Sequence, residues 1–539
     1  MKKKVQMTIL ALCTAATMTA CGGNADSAEV QETTAAEETV EADVETEAEA
    51  GEQAQAEETD EYYEAGRRSF YGLDGAQIDL EDAHTNFTKS QELGNTDANF
   101  YLGILAHFYG YPKRDYEQAR AYYEQSGDNP YAQIGLGFLY YNGDGVEQDM
   151  EKGREIFQSA ADQGIIEGYY GLAMVAENEG DYETALEHYT KVAQDGTEQG
   201  YIAVAMTDLG YIYAFSDGVE QDGEKAVEWF TKAADLGHTG AMSNLGSMYA
   251  YGIGVEQDGT KAVEWHTKAA DLGHTGAMNS LGSMYKTGMG VEQDGEKAME
   301  WYTKAADLGD TTAMRGLGYM YLTDEVVEQD GEKAVEWYTK AADLGDTIAM
   351  TELGYMYKTG MGVEQDGEKV VEWYTKAADL GDTIAMTELG YMYLNGEAVE
   401  QDDAKAVEWC TKAADLGETS AMIYLGHMYG TGEGAEQDGE KAVEWYTKAA
   451  DLGEKVAMNN LGYMYKKGDG VEQDTEKAIE WYTKAADLGE IAAMKNLGHM
   501  YERGDGVEQD TEKAIEWYTK AADLGDTEAG EHLEQLQGQ

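Results

Sequence analysis

The chain has 539 residues, a mass of 59.0 kDa and a formal net charge of −67 at pH 7. Apolar residues make up 42% of it, which is enough to bury a core and excludes a wholly disordered chain. A nucleic-acid partner is not expected, because 38 Lys and Arg oppose 105 Asp and Glu. With 65 glycines and only 2 prolines, the composition favours an array of repeated units over several unlike domains.

The N-terminus has the features of an export signal. Three lysines at 2–4 precede a small, apolar run, 5–20, that is too short for a comfortable membrane span. The run leads into Met-Thr-Ala-Cys at 18–21, which resembles the lipobox of bacterial lipoprotein signal peptides. The resemblance implies that the signal peptide 1–20 is removed and that Cys21 carries a diacyl anchor on the outer side of a bacterial membrane. The alternative is an ordinary secretory signal that is cut nearby.

Residues 21–60 are expected to form an acidic, disordered tether. Between 25 and 60 there are 14 Asp or Glu and no Lys or Arg. Self-repulsion extends such a segment and holds the folded part off the membrane surface. Once Cys13 is removed and Cys21 is lipidated, only Cys410 is left, so the mature chain cannot form an intramolecular disulfide. We expect its stability to come from packing alone.

A period of 36 residues dominates the sequence from 198 to 525. All nine tryptophans lie on it, at Trp229, Trp265, Trp301, Trp337, Trp373, Trp409, Trp445, Trp481 and Trp517. The pair Leu-Gly at 245–246 and the block Lys-Ala-Ala-Asp-Leu-Gly at 268–273 recur with the same period. Such regularity predicts nine tandem units of one architecture.

Each unit has the pattern of two helices joined by a glycine-containing turn. The apolar face of the first helix is formed by Ala241, Leu245 and Tyr249. The apolar face of the second helix is predicted to contain Ala262, Trp265, Ala269 and Ala270. Asp258 is placed to cap the start of the second helix, and Gly273 to end it in a left-handed conformation. Gly246 lies inside the first helix, where glycine costs about 0.8–1 kcal/mol relative to alanine, and predicts close approach of another helix.

The unit resembles the Sel1-like repeat, a relative of the tetratricopeptide repeat. The string A-x3-L-G-x2-Y-x2-G-x-G-V-x2-D-x2-K-A-x2-W-x2-K-A-A-x2-G is almost complete in 277–309. The resemblance covers about 130–525, and we interpret 61–197 as degenerate tetratricopeptide-like or Sel1-like repeats. It implies an all-α, right-handed α-solenoid of about thirteen helix–turn–helix repeats. A capping helix at 526–539, with Ala529, Leu533 and Leu536 facing inward, is expected to close it.

Sequence motifs for catalysis or cofactor binding are absent: the chain contains no HExxH, Walker loop, GxSxG or CxxC. We therefore predict that it is not an enzyme and binds no cofactor and no metal. The acidic loop 468–474 lacks the oxygen spacing of a calcium site, and the repeat itself explains most of the Arg-Gly-Asp at 503–505. His266 and Cys410 stand where other units have Tyr, and packing is their expected role.

The family resemblance implies an adaptor for protein complexes, with the first helices lining the concave side. Variation between units concentrates at 240, 243, 244 and 247 and their equivalents, which share one helix face away from the apolar stripe. The residues predicted to bind a partner there are Arg315, Tyr319, Tyr355, Tyr391, Tyr424, His427, Tyr463, Lys495 and His499. Alternatively, these side chains are only solvated or pack between units.

The expected function is a membrane-anchored, extracytoplasmic scaffold of the bacterial cell surface that binds protein or peptide partners. One alternative is a cell-wall-directed or β-lactam-hydrolysing enzyme of the cysteine-rich Sel1-like type. That alternative is disfavoured, because the repeats of those proteins are stapled by cysteine pairs that this chain lacks. The others are a glycan-binding or purely structural surface protein.

Overall fold

The structure, a computed structural model, describes residues 58–70, 79–109, 114–196, 199–216, 218–323 and 328–538. The predicted signal peptide, Cys21 and most of the predicted tether lie outside the described residues. The described part of the chain contains helices and no β-strand, which confirms the all-α prediction. None of its helices combines the length and the apolar character that crossing a membrane requires.

The chain divides into two compact units, Met1–Ala305 and Ala306–Gln539, with the division inside one helix, α13 (Gly295–Asp307). In the first unit residues 58–70 are helical, and the further α-helices are α1 (Leu80–Glu92), α2 (Ala98–Ile104), α3 (Tyr116–Gln125), α4 (Pro130–Asn142), α5 (Met150–Asp162), α6 (Gly168–Glu179), α7 (Tyr182–Asp195), α8 (Gln199–Phe215), α9 (Gly223–Asp235), α10 (Thr239–Tyr251), α11 (Gly259–Asp271) and α12 (Thr275–Thr287). A π-helical turn, Leu105–Tyr109, follows α2.

The second unit continues the same alternation of helices. Its elements are α14 (Thr311–Thr323), α15 (Gly331–Asp343), α16 (Thr347–Thr359), α17 (Gly367–Asp379), α18 (Thr383–Asn395), α19 (Asp403–Asp415), α20 (Thr419–Thr431), α21 (Gly439–Asp451), α22 (Lys455–Lys467), α23 (Thr475–Asp487), α24 (Ile491–Arg503), α25 (Thr511–Asp523) and α26 (Thr527–Gln537). Within a unit the helices pack in pairs, such as α10 with α11 and α16 with α17, and each pair packs against the next helix. We call the even-numbered helix of a pair the first helix and the odd-numbered one the second helix.

The turns between the helices follow from a few polar residues and glycines. The carboxylate of Asp258 accepts a hydrogen bond of 3.0 Å from the backbone N–H of Lys261, so the predicted N-cap is confirmed. Gly273 has a φ of +88° and lies two residues after Asp271, the last residue of the second helix, so the predicted left-handed end is confirmed. Gln257, one residue before the cap, donates from Nε2 to the backbone oxygen of Ala250 at 2.8 Å and satisfies a carbonyl at the end of the first helix.

A buried side chain of the second helix fills the space above the glycine of the first helix. A Cβ placed on Gly354 would lie 2.5 Å from the ring of Tyr374, and one on Gly246 would lie 2.7 Å from the ring of His266. The close approach that the sequence predicts is therefore made by a side chain rather than by a helix backbone. Glycine is retained because any larger residue would displace that ring.

The prediction that the tryptophans belong to the buried face is wrong by one residue. Trp373 is half-buried, whereas its neighbour Tyr374 is only 1% exposed. The buried positions of this second helix are Val370, Tyr374, Ala377 and Ala378. Their spacing of four, three and one places residue 373 at the edge of the stripe. There the ammonium of Lys376 lies 4.1 Å from the centroid of the tryptophan ring and covers it from the solvent side.

Glycines also allow the turns of adjacent repeats to touch. A Cβ on Gly254 would lie 2.0 Å from the carbonyl carbon of Gly223, and one on Gly290 would lie 2.2 Å from Cα of Gly259. Ala398 occupies the equivalent position in a later repeat and has a φ of +60°, the only non-glycine residue with a positive φ among those described. An L-residue in this conformation costs roughly 1–2 kcal/mol. The turn therefore forms without glycine, under strain.

Candidate functional site

The nine residues that the sequence analysis selects for partner binding occupy three positions of the first helices. Counting from the first residue of each helix, Arg315 and Lys495 lie at position 5 and Tyr424 at position 6. The other six lie at position 9, and we call them the position-9 row: Tyr319, Tyr355, Tyr391, His427, Tyr463 and His499. All nine lie in the second unit, so one set of successive first helices presents them.

Most side chains of the position-9 row are open to solvent. Tyr319, Tyr355 and Tyr463 are 45%, 46% and 50% exposed, and His427 is exposed as well. In each of these helices Leu and Gly at positions 7 and 8 are buried, as are the Met residues at positions 4 and 10. The position-9 side chains therefore leave the packed face of the helix, as their predicted role requires.

The two cations at position 5 are already paired inside the chain. Nε of Arg315 lies 3.2 Å from Oδ2 of Asp346, which also caps the next first helix by accepting from the backbone N–H of Ala349 at 2.8 Å. Nζ of Lys495 lies 3.2 Å from Asp526 and 2.7 Å from Glu528. These cations connect one repeat to the helix start of the next, which agrees with the alternative of packing between units.

Tyr391 of the position-9 row contacts Tyr424, which lies at position 6 of the next first helix. The rings of Tyr391 and Tyr424 have centroids 5.8 Å apart and an interplanar angle of 46°, and both are half-buried. Lys358 of the preceding first helix lies 5.4 Å from the Tyr391 centroid and pairs with Glu388 at 2.7 Å. Burial, followed by the charge of Glu388, raises the pKa of the Tyr424 hydroxyl. The Tyr424 hydroxyl is therefore neutral near pH 7 and lies close to the Lys358–Glu388 ion pair.

The remaining residue of the row, His499, belongs to a cluster that the sequence analysis did not identify. Its Nδ1 is 3.7 Å from Oε2 of Glu502, and Nδ1 of His532 is 3.6 Å from the same oxygen. The hydroxyl of Tyr518 lies 2.7 Å from both His499 Nδ1 and Glu502 Oε2, donating to the latter. The repeat register could have identified this cluster. Positions 9 and 12 of one first helix lie close to position 6 of the next first helix wherever two first helices are neighbours.

Cys410 and His266 have the packing role predicted for them. Both are buried against a glycine of the first helix, Gly390 and Gly246 respectively. Burial raises the pKa of the Cys410 thiol to about 12, so the thiol is protonated near neutral pH. Burial, and then the charge of His274, lowers the pKa of His266 to about 4, so its imidazole is neutral.

Comparison with known proteins agrees with the repeat architecture. The profile of the Sel1 repeat matches eleven segments: 96–129, 130–165, 203–238, 239–274, 275–310, 311–346, 347–382, 383–418, 419–454, 455–490 and 491–526. None of the curated proteins compared with the chain matches it significantly.

Two solved structures are similar to the chain. A protective antigen of uropathogenic Escherichia coli with an SLR fold is 31% identical, with a TM-score of 0.45, and the match covers 84% of this chain and 90% of that one. A Sel1 repeat protein from Oxalobacter formigenes is also 31% identical, with a TM-score of 0.49, and covers 59% of this chain and 95% of that one. The eleven matched segments cover well over half of the chain and coincide with its helix pairs, so the predicted all-α architecture of tandem helix–turn–helix repeats is confirmed and the chain belongs to the Sel1 repeat family.

Proposed function

We propose that this protein is a membrane-anchored scaffold of the bacterial cell surface that binds a protein or peptide partner along the position-9 row. The observation that carries the proposal is the row itself, in which Tyr319, Tyr355 and Tyr463 are 45%, 46% and 50% exposed. Tyr combines a large apolar ring with a hydroxyl and has only two side-chain torsions, so it binds at low entropic cost. Regularly spaced tyrosines of this kind match the anchors of protein interfaces.

The surroundings of the row supply a polar rim. The pairs Arg315–Asp346 and Lys358–Glu388 lie beside the tyrosines and keep their charges compensated within the chain. A partner segment can therefore cover the aromatic rings without burying an unpaired charge next to them. The resemblance to other helix-pair solenoids implies that the first helices line the concave side, which such solenoids use for binding.

The net charge of the chain indicates which partners are favoured. At −67 the chain attracts a basic partner at long range and repels an acidic one. We therefore expect the partner to be basic. Its Lys or Arg residues should lie beside the apolar groups with which the partner contacts the tyrosines. Association should then slow as salt is added, since the attraction between exposed charges is screened beyond about 8–10 Å at 0.1–0.15 M salt.

The binding test removes two exposed tyrosines and leaves the fold intact. Tyr355→Ala combined with Tyr463→Ala should weaken capture of surface proteins about tenfold or more, because both rings are anchors with little packing of their own. Tyr391 is left in place, since its ring packs against Tyr424 and its removal would also affect stability. Capture is quantified by pull-down from cell-surface extracts at matched bait concentration.

The matched control is Tyr251→Ala, which removes an exposed tyrosine that lies outside the row, at the end of a first helix. Far-UV circular dichroism and thermal melting of all variants should be nearly unchanged. Equal capture by the double variant and the parent chain would contradict the proposal. So would a loss of capture that occurs only together with a loss of helix content.

Anchoring is tested at Cys21. Cys21→Ala removes the thiol that lipidation requires and should move the protein from the membrane fraction to the soluble extracytoplasmic fraction. Cys410→Ala is the control, because that thiol is buried and is not part of the lipobox, so its removal should not affect fractionation. Membrane attachment of the Cys21→Ala variant, or an unmodified mature N-terminus in mass spectra of the parent protein, would refute the lipoprotein assignment.

A further inference from the structure

We propose that His499, Glu502 and His532 bind a divalent transition-metal ion of the zinc class at the C-terminal end of the second unit. The three side chains come from two helices: His499 and Glu502 are one turn apart on α24, and His532 lies on the last helix, α26. Each can supply one ligand atom, and the three ligand atoms lie within 4.8 Å of one another. His499 also belongs to the position-9 row, but the metal proposal does not depend on partner binding at the exposed tyrosines of that row.

The distances fit a tetrahedral ion with a small adjustment of rotamers. His499 Nδ1 and His532 Nδ1 lie 3.7 Å and 3.6 Å from Oε2 of Glu502. Two ligands bound to zinc at about 2.0–2.1 Å, at a tetrahedral angle, are separated by about 3.4 Å. Each of these two nitrogen–oxygen pairs therefore needs to close by a few tenths of an ångström, while the two histidine nitrogens lie within 4.8 Å of each other. The side chains are 24%, 26% and 23% exposed, which leaves a path for an ion to enter.

One nitrogen of the cluster lacks a hydrogen-bonding partner. His532 Nδ1 is shielded from solvent and makes no hydrogen bond, although it faces the carboxylate of Glu502. A shielded polar atom without a partner has lost its contact with water and gained no hydrogen bond in return, which is unfavourable. An ion between this nitrogen, Glu502 and His499 would accept its lone pair and remove that penalty. This observation points to a ligand independently of the count of candidate residues.

Tyr518 orients the candidate ligands. Its hydroxyl donates to Glu502 Oε2 at 2.7 Å and lies 2.7 Å from His499 Nδ1, and its ring stacks on the His532 imidazole with centroids 5.0 Å apart. Positioning residues of this kind fix the ligand rotamers of metal sites before the ion arrives. Because the hydroxyl proton is donated to Glu502, His499 Nδ1 carries its proton toward the tyrosine oxygen, and that proton must move to Nε2 before the Nδ1 lone pair can bind a metal. The fourth position is left to water or to the phenol oxygen.

The repeat geometry explains why these three residues meet. In an earlier repeat the same positions are occupied by Tyr355, Lys358 and Glu388, and the last two form an ion pair of 2.7 Å. The backbone therefore brings position 9, position 12 and position 6 of the next first helix within reach of one another. The last repeat differs in placing two imidazoles and a carboxylate there, a donor set typical of a metal site.

The donor set selects the class of ion. Two imidazoles with one carboxylate suit Zn²⁺, Co²⁺, Ni²⁺ or Cu²⁺, whereas Ca²⁺ and Mg²⁺ prefer a shell of oxygens.

Charged residues of both helices lie near the candidate ligands in the sequence. Arg503 follows Glu502 directly and adds a positive charge beside the site, while Glu528 lies on the same helix as His532 and is paired with Lys495. The ion would connect α24 to α26, whose helix buries only Ala529 fully. Its structural effect is to hold the last helix on the repeat before it.

The test uses the full-length chain after treatment with a chelator. Titration with CoCl₂ should give visible absorption bands of a four-coordinate, nitrogen-containing site at one ion per chain, and ZnCl₂ should displace them. CaCl₂ and MgCl₂ should not. His532→Ala and Glu502→Gln should each weaken cobalt binding about tenfold or more, because a ligand is lost in each. The matched control His427→Ala removes an exposed histidine from the same helix position of an earlier repeat and should bind as the parent does.

Glu502→Gln keeps the size and shape of the side chain, so the result does not depend on whether His532→Ala destabilises α26. Far-UV circular dichroism shows which variants keep their helices. No cobalt spectrum with the parent chain would overturn the proposal. So would an unchanged spectrum with Glu502→Gln and His532→Ala, since the many carboxylates of the chain would then be the ligands.

Discussion

Replacing the buried tyrosine of a second helix should cost far more stability than replacing the neighbouring tryptophan. Tyr374 is 1% exposed and lies over Gly354, so Tyr374→Ala removes a fully packed ring and should cost about 3–5 kcal/mol. Trp373 is half-buried, and its truncation loses part of its contact area and the contact with Lys376. Trp373→Ala should therefore cost about 1–2 kcal/mol.

The assay is urea denaturation followed by far-UV circular dichroism, with hydrogen exchange of residues 367–379 to localise the effect. Tyr374→Phe keeps the ring and should lie within about 1 kcal/mol of the parent. Gly354→Ala should destabilise the parent, because the added Cβ would lie 2.5 Å from the tyrosine ring, and should cost much less in the Tyr374→Ala background. If Trp373→Ala is as damaging as Tyr374→Ala, the assignment of the buried stripe is wrong.

Two further perturbations test how single repeats are stabilised. Burial lowers the pKa of His266 to about 4, so the neutral imidazole stabilises the fold above pH 6.5 and this contribution, up to about 3 kcal/mol, is lost as the pH falls from 6.5 to 4. His266→Tyr introduces the residue that the next repeat has at this position, Tyr302. Melting curves of this variant should not show the dependence on pH between 6.5 and 4. Ala398→Gly should relieve the strain of a φ of +60° and stabilise the chain by about 1 kcal/mol in urea denaturation, whereas Gly362→Ala, at the equivalent position, should destabilise it; the reverse order would refute the strain argument.

Local features of the fold could be predicted from the sequence because they depend on nearby residues. The Asp258 cap and the left-handed Gly273 follow from short-range chemistry within a few residues, and both are found in the structure. The position of Trp373 could not be derived in this way. The tryptophans would recur every 36 residues whether they lay at the edge of the apolar stripe or in its centre. Only the packing of Tyr374 over Gly354 shows that they lie at the edge.

Features of the candidate site that depend on neighbouring repeats were harder to predict. The pairing of Arg315 with Asp346 joins residues 31 positions apart, and no local pattern indicates it. The same is true of His499 and His532, which the stacking of two first helices brings together. The repeat pattern places these residues in register but does not identify their partners. Tyr319, Tyr355 and Tyr463 are exposed, whereas Arg315 and Lys495 are paired within the chain.

Site-specific photocrosslinking in living cells tests the central claim, that partners bind along the position-9 row, most directly. A photoreactive phenylalanine analogue is placed at Tyr355 or Tyr463, with Trp373 on a second helix as the control position. The proposal predicts a discrete crosslinked partner from Tyr355 and Tyr463 and none from Trp373. Crosslinks from Trp373 alone, or equal crosslinks from all three positions, would contradict it.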